Sequence, residues 1–289
     1  MLLSEYHRNL HRISFELASN ETKSFLLLSD IHFDNPKCDR GLLVRHLDYA
    51  LRHNCPILIN GDFFCLMQGK FDPRRSKKDI LPQHNKVNYL DAVIEEAVEW
   101  WLPYHHLMTV IGYGNHETAI IKNVETDPLQ RFVDLINYRA NTDHKIYTGG
   151  YGGWVNFYIG NTTSKVSKWL YYYHGSGGGG EVTKGVIQNQ RQMAMIEGAD
   201  IIWMGHVHEL YAMQHSVKSF HGATMKPIVK DVWHVRTATY KEEFEDGYMG
   251  YHVEKGRPPK PLGGAILDLT FYREHTIRKV NTSIRFLTK

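Results

Sequence analysis

Ser24–His32 reads SFLLLSDIH, a short apolar run that stops on an acid and a histidine two residues apart. Pro56–Asp62, PILINGD, ends the same way on Gly61-Asp62. Three more runs follow: LMTVIGYGNHE at 107–117, WLYYYHG at 169–175 and ADIIWMGHVH at 199–208. Continuous apolar runs of this length read as strands buried on both faces, as in a parallel sheet covered by helices. Each one ends on a polar cluster: Asp30-Ile31-His32, Gly61-Asp62, Gly114-Asn115-His116-Glu117, His174-Gly175 and Gly205-His206-Val207-His208. In open α/β sheets the strand ends form the ligand crevice, so clusters far apart in sequence are expected to meet there.

Helical spacing separates these runs. Leu42, Leu43, His46, Leu47, Ala50 and Leu51 mark a helix within Asp39–Asn54, and Leu90, Val93, Ile94, Ala97, Val98 and Trp101 mark one within Asn88–Trp101. Asp127 and Pro128 form an N-cap and first helical residue for a helix running toward Arg139. Val186–Glu197 reads as a helix stopped by Gly198. After Leu210 no long helical pattern recurs, and β-type segments follow at Val232–Tyr240, Ala265–Phe271 and Thr276–Phe286. The expectation is one layered α/β domain over residues 1–289, with insertions at Gln68–Asn85 and Arg257–Gly264.

The composition excludes several classes. Apolar residues are 42%, charged residues 22% and the net charge +3, ordinary for a globular protein; this leaves a nucleic-acid partner open while giving little of the basic footprint such a partner calls for. Three cysteines, Cys38, Cys55 and Cys65, form no CxxC pair and read as reduced thiols in a cytoplasm-like compartment. No apolar stretch approaches the length of a membrane span, and Met1–Phe15 lacks a signal-peptide core. The expected protein is cytoplasmic, with no membrane partner and an oligomeric state the sequence leaves open.

Within the clusters, Asp30, Asp62, Asn115, His32, His174, His206 and His208 supply two carboxylates, one amide oxygen and four imidazoles. That donor set suits divalent ions such as Mn, Fe or Zn and contains no thiolate of a structural zinc site. Seven donors are too many for one ion and suit two. In DxH and HxH, extended spacing would point both side chains to one side.

In this order the clusters resemble the calcineurin-like metallophosphoesterase superfamily, whose pattern is DxH, GD, GNH(E/D), H and GHxH, over about residues 24–210. The stretches around His174–Gly178 and Gly256–Gly264 are similar to uncharacterised phage and bacterial members. The resemblance implies a four-layer α/β/β/α sandwich, with residues 211–289 completing the second sheet, in the cytoplasm of a bacterium or of a phage host. It places Asp30, His32 and His208 on a first metal, Asn115, His174 and His206 on a second, and Asp62 between them. His116 falls on the histidine that assists the leaving group without binding metal. The implied cofactors are two divalent ions, Mn first, with Fe, Zn, Ni or Mg as alternatives. The implied reaction is phosphoester hydrolysis by a metal-bridging hydroxide.

Substrate contacts are expected from Arg74 and Arg75, in a basic loop after Asp62, from Ser176 and Gly177 beside His174, and from Arg236. The preferred substrate is a small phosphomonoester, phosphodiester or nucleotide. The alternatives are a DNA-directed nuclease and a non-catalytic scaffold of the same fold.

Overall fold

The computed structural model describes residues 1–67, 80–161, 164–222, 224–244, 251–254, 256–274 and 277–289. In chain order the elements are β1 (Leu2–His7), β2 (Leu10–Phe15), β3 (Thr22–Leu28), α1 (Arg40–Arg52), β4 (Ile57–Asn60), α2 (Tyr89–Trp101) and β5 (Met108–Gly112). Then come α3 (Asn115–Val124), α4 (Pro128–Ala140), β6 (Tyr147–Thr148), β7 (Gly152–Asn161), β8 (Ser164–Tyr173), α5 (Val186–Met195) and β9 (Ile201–Met204). The chain ends with β10 (Tyr211–His221), β11 (Lys226–Arg236), α6 (Tyr251–Glu254), β12 (Gly263–Glu274) and β13 (Ile277–Thr288).

The strands form two mixed sheets, ordered β1-β2-β7-β8-β9-β11-β10 and β13-β12-β3-β4-β5-β6. Alternation along the buried strands sets the layers, because successive side chains leave a strand on opposite faces. Phe25, Leu27, Leu58, Ala265, Leu267 and Leu269 face Ile13, Phe157, Leu170, Trp203 and Val235 in a core between the sheets. Leu26, Leu28, Ile57, Ile59, Met108 and Ile111 face the other way, into a second core with Leu43 and Leu47 of α1, Val93 and Val98 of α2, and Phe132 and Ile136 of α4. Helices, sheet and sheet are therefore stacked in that order. Beyond them α5 contacts β9, and Met193 and Ile196 share a shallow cavity with Ile202 on the outer face. Among the described residues, α5 is a ten-residue helix on that face and its buried residue is Asn189.

The expected helices and buried strands are present within a few residues of their expected ends. Three features differ. Residues 211–289 do not complete one sheet: β10 and β11 join the seven-stranded sheet, whereas β12 pairs with β3 in the other. Asp268 explains part of this, since it is bound by Ser24 of β3 and Arg285 of β13. The polar segments Leu2–His7, Leu10–Phe15 and Tyr211–His221 are strands because they pair at or near sheet edges, where one face is solvated and no apolar run is needed. Gly114-Asn115-His116-Glu117 opens a helix, with the Glu117 carboxylate accepting the Gly114 N–H at 2.8 Å. Elsewhere Asp127 caps α4 as expected, accepting from the Gln130 N–H at 3.0 Å.

Candidate metal centre

The parallel strands β3, β4 and β5 of one sheet and β8 and β9 of the other all end at the same place. The loops beyond β3 and β4 run side by side. Asp30 N donates to Gly61 O at 3.1 Å, His32 N to Asp62 O at 3.0 Å, and Phe33 N to Phe63 O at 2.9 Å. Across the gap, the His206 N–H donates to both Asp30 carboxylate oxygens, at 3.1 and 3.0 Å. All seven expected donor residues, and His116 with them, are thereby gathered at one point.

Their backbone is not extended. Asp30, His32, Asp62, His206 and His208 all have positive φ, between 48° and 72°. The alternation in DxH and HxH is one of left-handed residues, correcting the extended spacing inferred from sequence. A left-handed non-glycine residue costs of order 1–3 kcal/mol and persists where its surroundings over-determine it. Here they do: Asp30 O accepts the Tyr240 N–H at 3.1 Å and the Thr239 hydroxyl at 2.8 Å. Such clustering of strained residues is typical of functional sites. The glycine of the GD motif has its own reason. At Gly61, φ is +74°, and a Cβ there would lie 2.8 Å from the Gly114 backbone and collide with the His174 ring.

The side chains form two triads. In each, the ligand-capable atoms lie within 4.8 Å of one another: Asp30, His32 and His208 in one, Asp62, His174 and His206 in the other. His208 Nε2 is 3.4 Å from Asp30 Oδ1, and His174 Nε2 is 3.3 Å from Asp62 Oδ2 and 4.0 Å from Asp30 Oδ1. His174 Nδ1 is bonded to the Asn60 carbonyl at 2.9 Å, which turns Nε2 inward. Nε2 of His174 and Oδ1 of Asn115 are buried without a hydrogen bond of good geometry among the described residues. Buried polar atoms left in this state are expensive, and a cation between them would satisfy both. The donor set therefore fits divalent metal.

Charge reinforces that fit. Burial opposes ionisation of Asp62, yet the imidazoles of His174 and His116 hold its carboxyl well below the usual range. Burial likewise opposes a charge on His174, but Asp62 and Asp30 outweigh it and lift the ring to about 10. Two buried carboxylates thus attract positive charge to the point where the triads meet.

Cys65, buried three residues after Asp62, forms a third group with His32 and His116. Burial pushes its thiol far up, so it stays protonated and is a poor metal donor. Sequence alone assigns no role to Glu117, yet, buried behind Asp62, it accepts three backbone N–H groups of the site loops. Its signal was only its place after Asn115-His116.

A cleft of about 570 Å³ opens over the triads, lined by His32, Asp62, Asn115, His116, His206 and His208, by Gly177–Gly179, and by Lys241, Arg257 and Lys260. Of the expected substrate contacts, Gly177 lines it. Ser176 is exposed, its carbonyl taken by Gln188 at 2.9 Å. Arg74 and Arg75 lie outside the described residues. Arg236 is not a substrate contact: it is 0% exposed, and donates to Gly205 O and Asn189 Oδ1, both at 2.6 Å. It ties α5 to the loop carrying His206 and His208. Among the described residues, no helix is long and apolar enough to cross a membrane.

No family model matches the chain, and no curated protein matches it. Among solved structures it is similar to that of vacuolar protein sorting 29 from Cryptosporidium parvum, with 15% identity over 92% of this chain and 98% of that one, at a TM-score of 0.36. It is also similar to GAP50, the anchor in the inner membrane complex of Plasmodium, with 9% identity over 92% of this chain and 89% of that one, at a TM-score of 0.38. Likenesses this distant leave the reading of the site to its own geometry.

Proposed function

We propose that this chain is a metal-dependent phosphoesterase of the metallophosphoesterase type, acting on a small phosphomonoester or phosphodiester, with the four-layer sandwich as its parent fold. The observation that carries the reading is the meeting of two carboxylate–imidazole triads at one cleft, with the inward atoms of Asn115 and His174 buried without a hydrogen bond of good geometry among the described residues. Asp30, His32 and His208 would hold one ion. Asn115, His174 and His206 would hold the other, and Asp62 would be shared. Divalent ions bound there supply Lewis acidity, lower the pKa of water and offset charge on phosphate oxygens. Mn²⁺ is the first choice for a site of mixed oxygen and nitrogen donors.

The protein's own contribution centres on His116. Its Nδ1 is 2.5 Å from the Cys65 carbonyl, a contact that requires the proton on Nδ1 and turns Nε2 toward the cleft. Nε2 lies 3.9 Å from Asp62 Oδ2. His116 is thus placed to donate a proton from Nε2 to a departing oxygen. The glycines at 177–179 leave room for substrate beside the triads.

The deciding experiment is hydrolysis of p-nitrophenyl phosphate and bis-p-nitrophenyl phosphate with Mn²⁺, Fe²⁺, Zn²⁺, Ni²⁺ or Mg²⁺, alongside metal analysis. Turnover of either ester is expected. Failure of both with every metal overturns the reading, and cleavage of DNA in preference to both moves it to a nuclease.

A further inference from the structure

One wall of the cleft carries a buried cation that the reaction does not use. The Lys260 side chain is only 8% exposed, and its Nζ lies 2.5 Å from Oε1 of Glu209, itself 8% exposed. Glu209 directly follows His208, so this ammonium is anchored to the loop that supplies His206 and His208. Lys260 lines the same cleft as those histidines and His116.

A buried ion pair contributes little net stability, because desolvating both charges offsets their attraction. Its consequence here is positional. A lysine has three N–H donors in place of one diffuse charge. Glu209 takes one. Among the described residues the next acid paired with it, Glu181, is 3.9 Å away and 41% exposed, too far for a hydrogen bond and wet enough to yield its place. An anion entering the cleft can therefore accept from Lys260 without breaking the pair with Glu209. Arg257 lines the same wall, 4.0 Å from Glu181. The backbone of Gly177–Gly179 borders the cleft too. At about 570 Å³ the cleft has room for a nucleotide-sized molecule.

We infer that Lys260, fixed by Glu209, forms an anion subsite beside the metal centre, and that it takes a second phosphate of the substrate, one that is not cleaved. The substrate class is then a small molecule phosphorylated at two separate positions, such as a nucleoside bisphosphate. This rests on the phosphoesterase reading, and the experiment separates the two.

Thymidine 5′-(p-nitrophenyl phosphate) and its 3′-phosphorylated counterpart differ only in the second phosphate. With Mn²⁺-loaded wild-type protein, kcat/KM should be about tenfold higher for the 3′-phosphorylated ester, the size of one charge-assisted hydrogen bond. In Lys260→Met/Glu209→Gln, which removes both charges and leaves neither buried alone, the ratio should fall to about one. Lys260→Arg, which keeps the charge, should retain a preference. Calorimetric titration with thymidine 3′,5′-bisphosphate and thymidine 5′-monophosphate gives the same comparison without turnover, and should show about tenfold tighter binding of the bisphosphate. Equal wild-type values for the two esters and the two ligands overturn the subsite, as does a preference that survives in the double variant. Tighter binding of the bisphosphate with no hydrolysis of either ester keeps the subsite and overturns the hydrolase.

Discussion

The Glu117 carboxylate accepts the backbone N–H of Asp62 at 3.2 Å, and the same carboxylate accepts Phe64 N at 2.9 Å and Gly114 N at 2.8 Å. One buried acid thereby fixes the loop carrying Asp62 and the turn that opens α3 with Asn115 and His116. Burial and the charge of Asp62 push Glu117 up to about 8. Its value to the site lies in those three acceptor contacts more than in its charge.

Glu117→Gln tests this. The amide places an N–H₂ against one or more of those backbone donors, so the loop must shift although no donor in either triad has changed. Affinity for Mn²⁺, measured by calorimetric titration, should fall about 10–100-fold, the usual effect of losing a group that orients metal ligands. Far-UV circular dichroism should be unchanged. Wild-type affinity in the variant would remove Glu117 from the site.

The layering and the position of the site were legible because they rest on strong local signals. Buried strands such as Phe25–Leu28 and Ile201–Met204 are continuous apolar runs, and only a sheet covered on both faces accommodates them. Other features had no local signal. The left-handed backbone at Asp30 and His206 depends on bonds from Tyr240, Thr239 and Asp30, supplied by distant parts of the chain. Arg236 reads from sequence as a polar residue of the Val232–Tyr240 β segment able to line the cleft, but its guanidinium is drawn inward by Gly205 and Asn189, which sequence spacing does not bring together. The division of β10–β13 between two sheets depends on partners such as Ser24 and Asp268 that are far apart in sequence.

Arg236→Met should destabilise the protein through the two acceptors it leaves behind. Gly205 O and Asn189 Oδ1 lose their 2.6 Å partners in a buried place, where an unsatisfied group costs about 1–3 kcal/mol. Urea denaturation of the metal-free protein should show a loss of about 3 kcal/mol. Stability within experimental error of wild type would return Arg236 to the list of substrate contacts.

Acid should weaken the fold through histidines remote from the metal centre. Burial lowers His11, His46 and His234 to about 4, with His215 adding to the effect at His234. In the unfolded chain each takes a proton near pH 6.5. Below about pH 6.5 the unfolded chain thus binds more protons, and stability falls until about pH 4, where the folded histidines also protonate. Each contributes at most about 3 kcal/mol over that window. His11, whose ring nitrogens have no hydrogen bond among the described residues and whose Nε2 lies 3.8 Å from Glu5 Oε1, packs beside Tyr147. His11→Phe should therefore lose less in melting temperature than wild type between pH 7 and pH 5. An identical drop in both proteins would show that His11 is not buried uncharged.

His116 is the residue on which metal binding and turnover should separate. Among its contacts with the site, its N–H donates to Asp62 Oδ1 at 3.0 Å, its ring packs edge-on against His32 at 4.8 Å, and its Nδ1 faces the Cys65 carbonyl. The first contact is backbone and survives any substitution. The second is packing. The third fixes the ring so that Nε2 faces the cleft, and a proton on Nε2 is the one within reach of a departing oxygen. His116→Ala should keep a metal content close to wild type and slow hydrolysis by roughly 10²–10⁴-fold, the usual size of acid–base assistance. The loss should shrink for an ester whose leaving group needs no proton, so p-nitrophenyl esters should suffer less than alkyl esters. Loss of metal in the variant would make His116 a ligand. An equal loss for both kinds of ester would leave it a positioning residue without proton transfer.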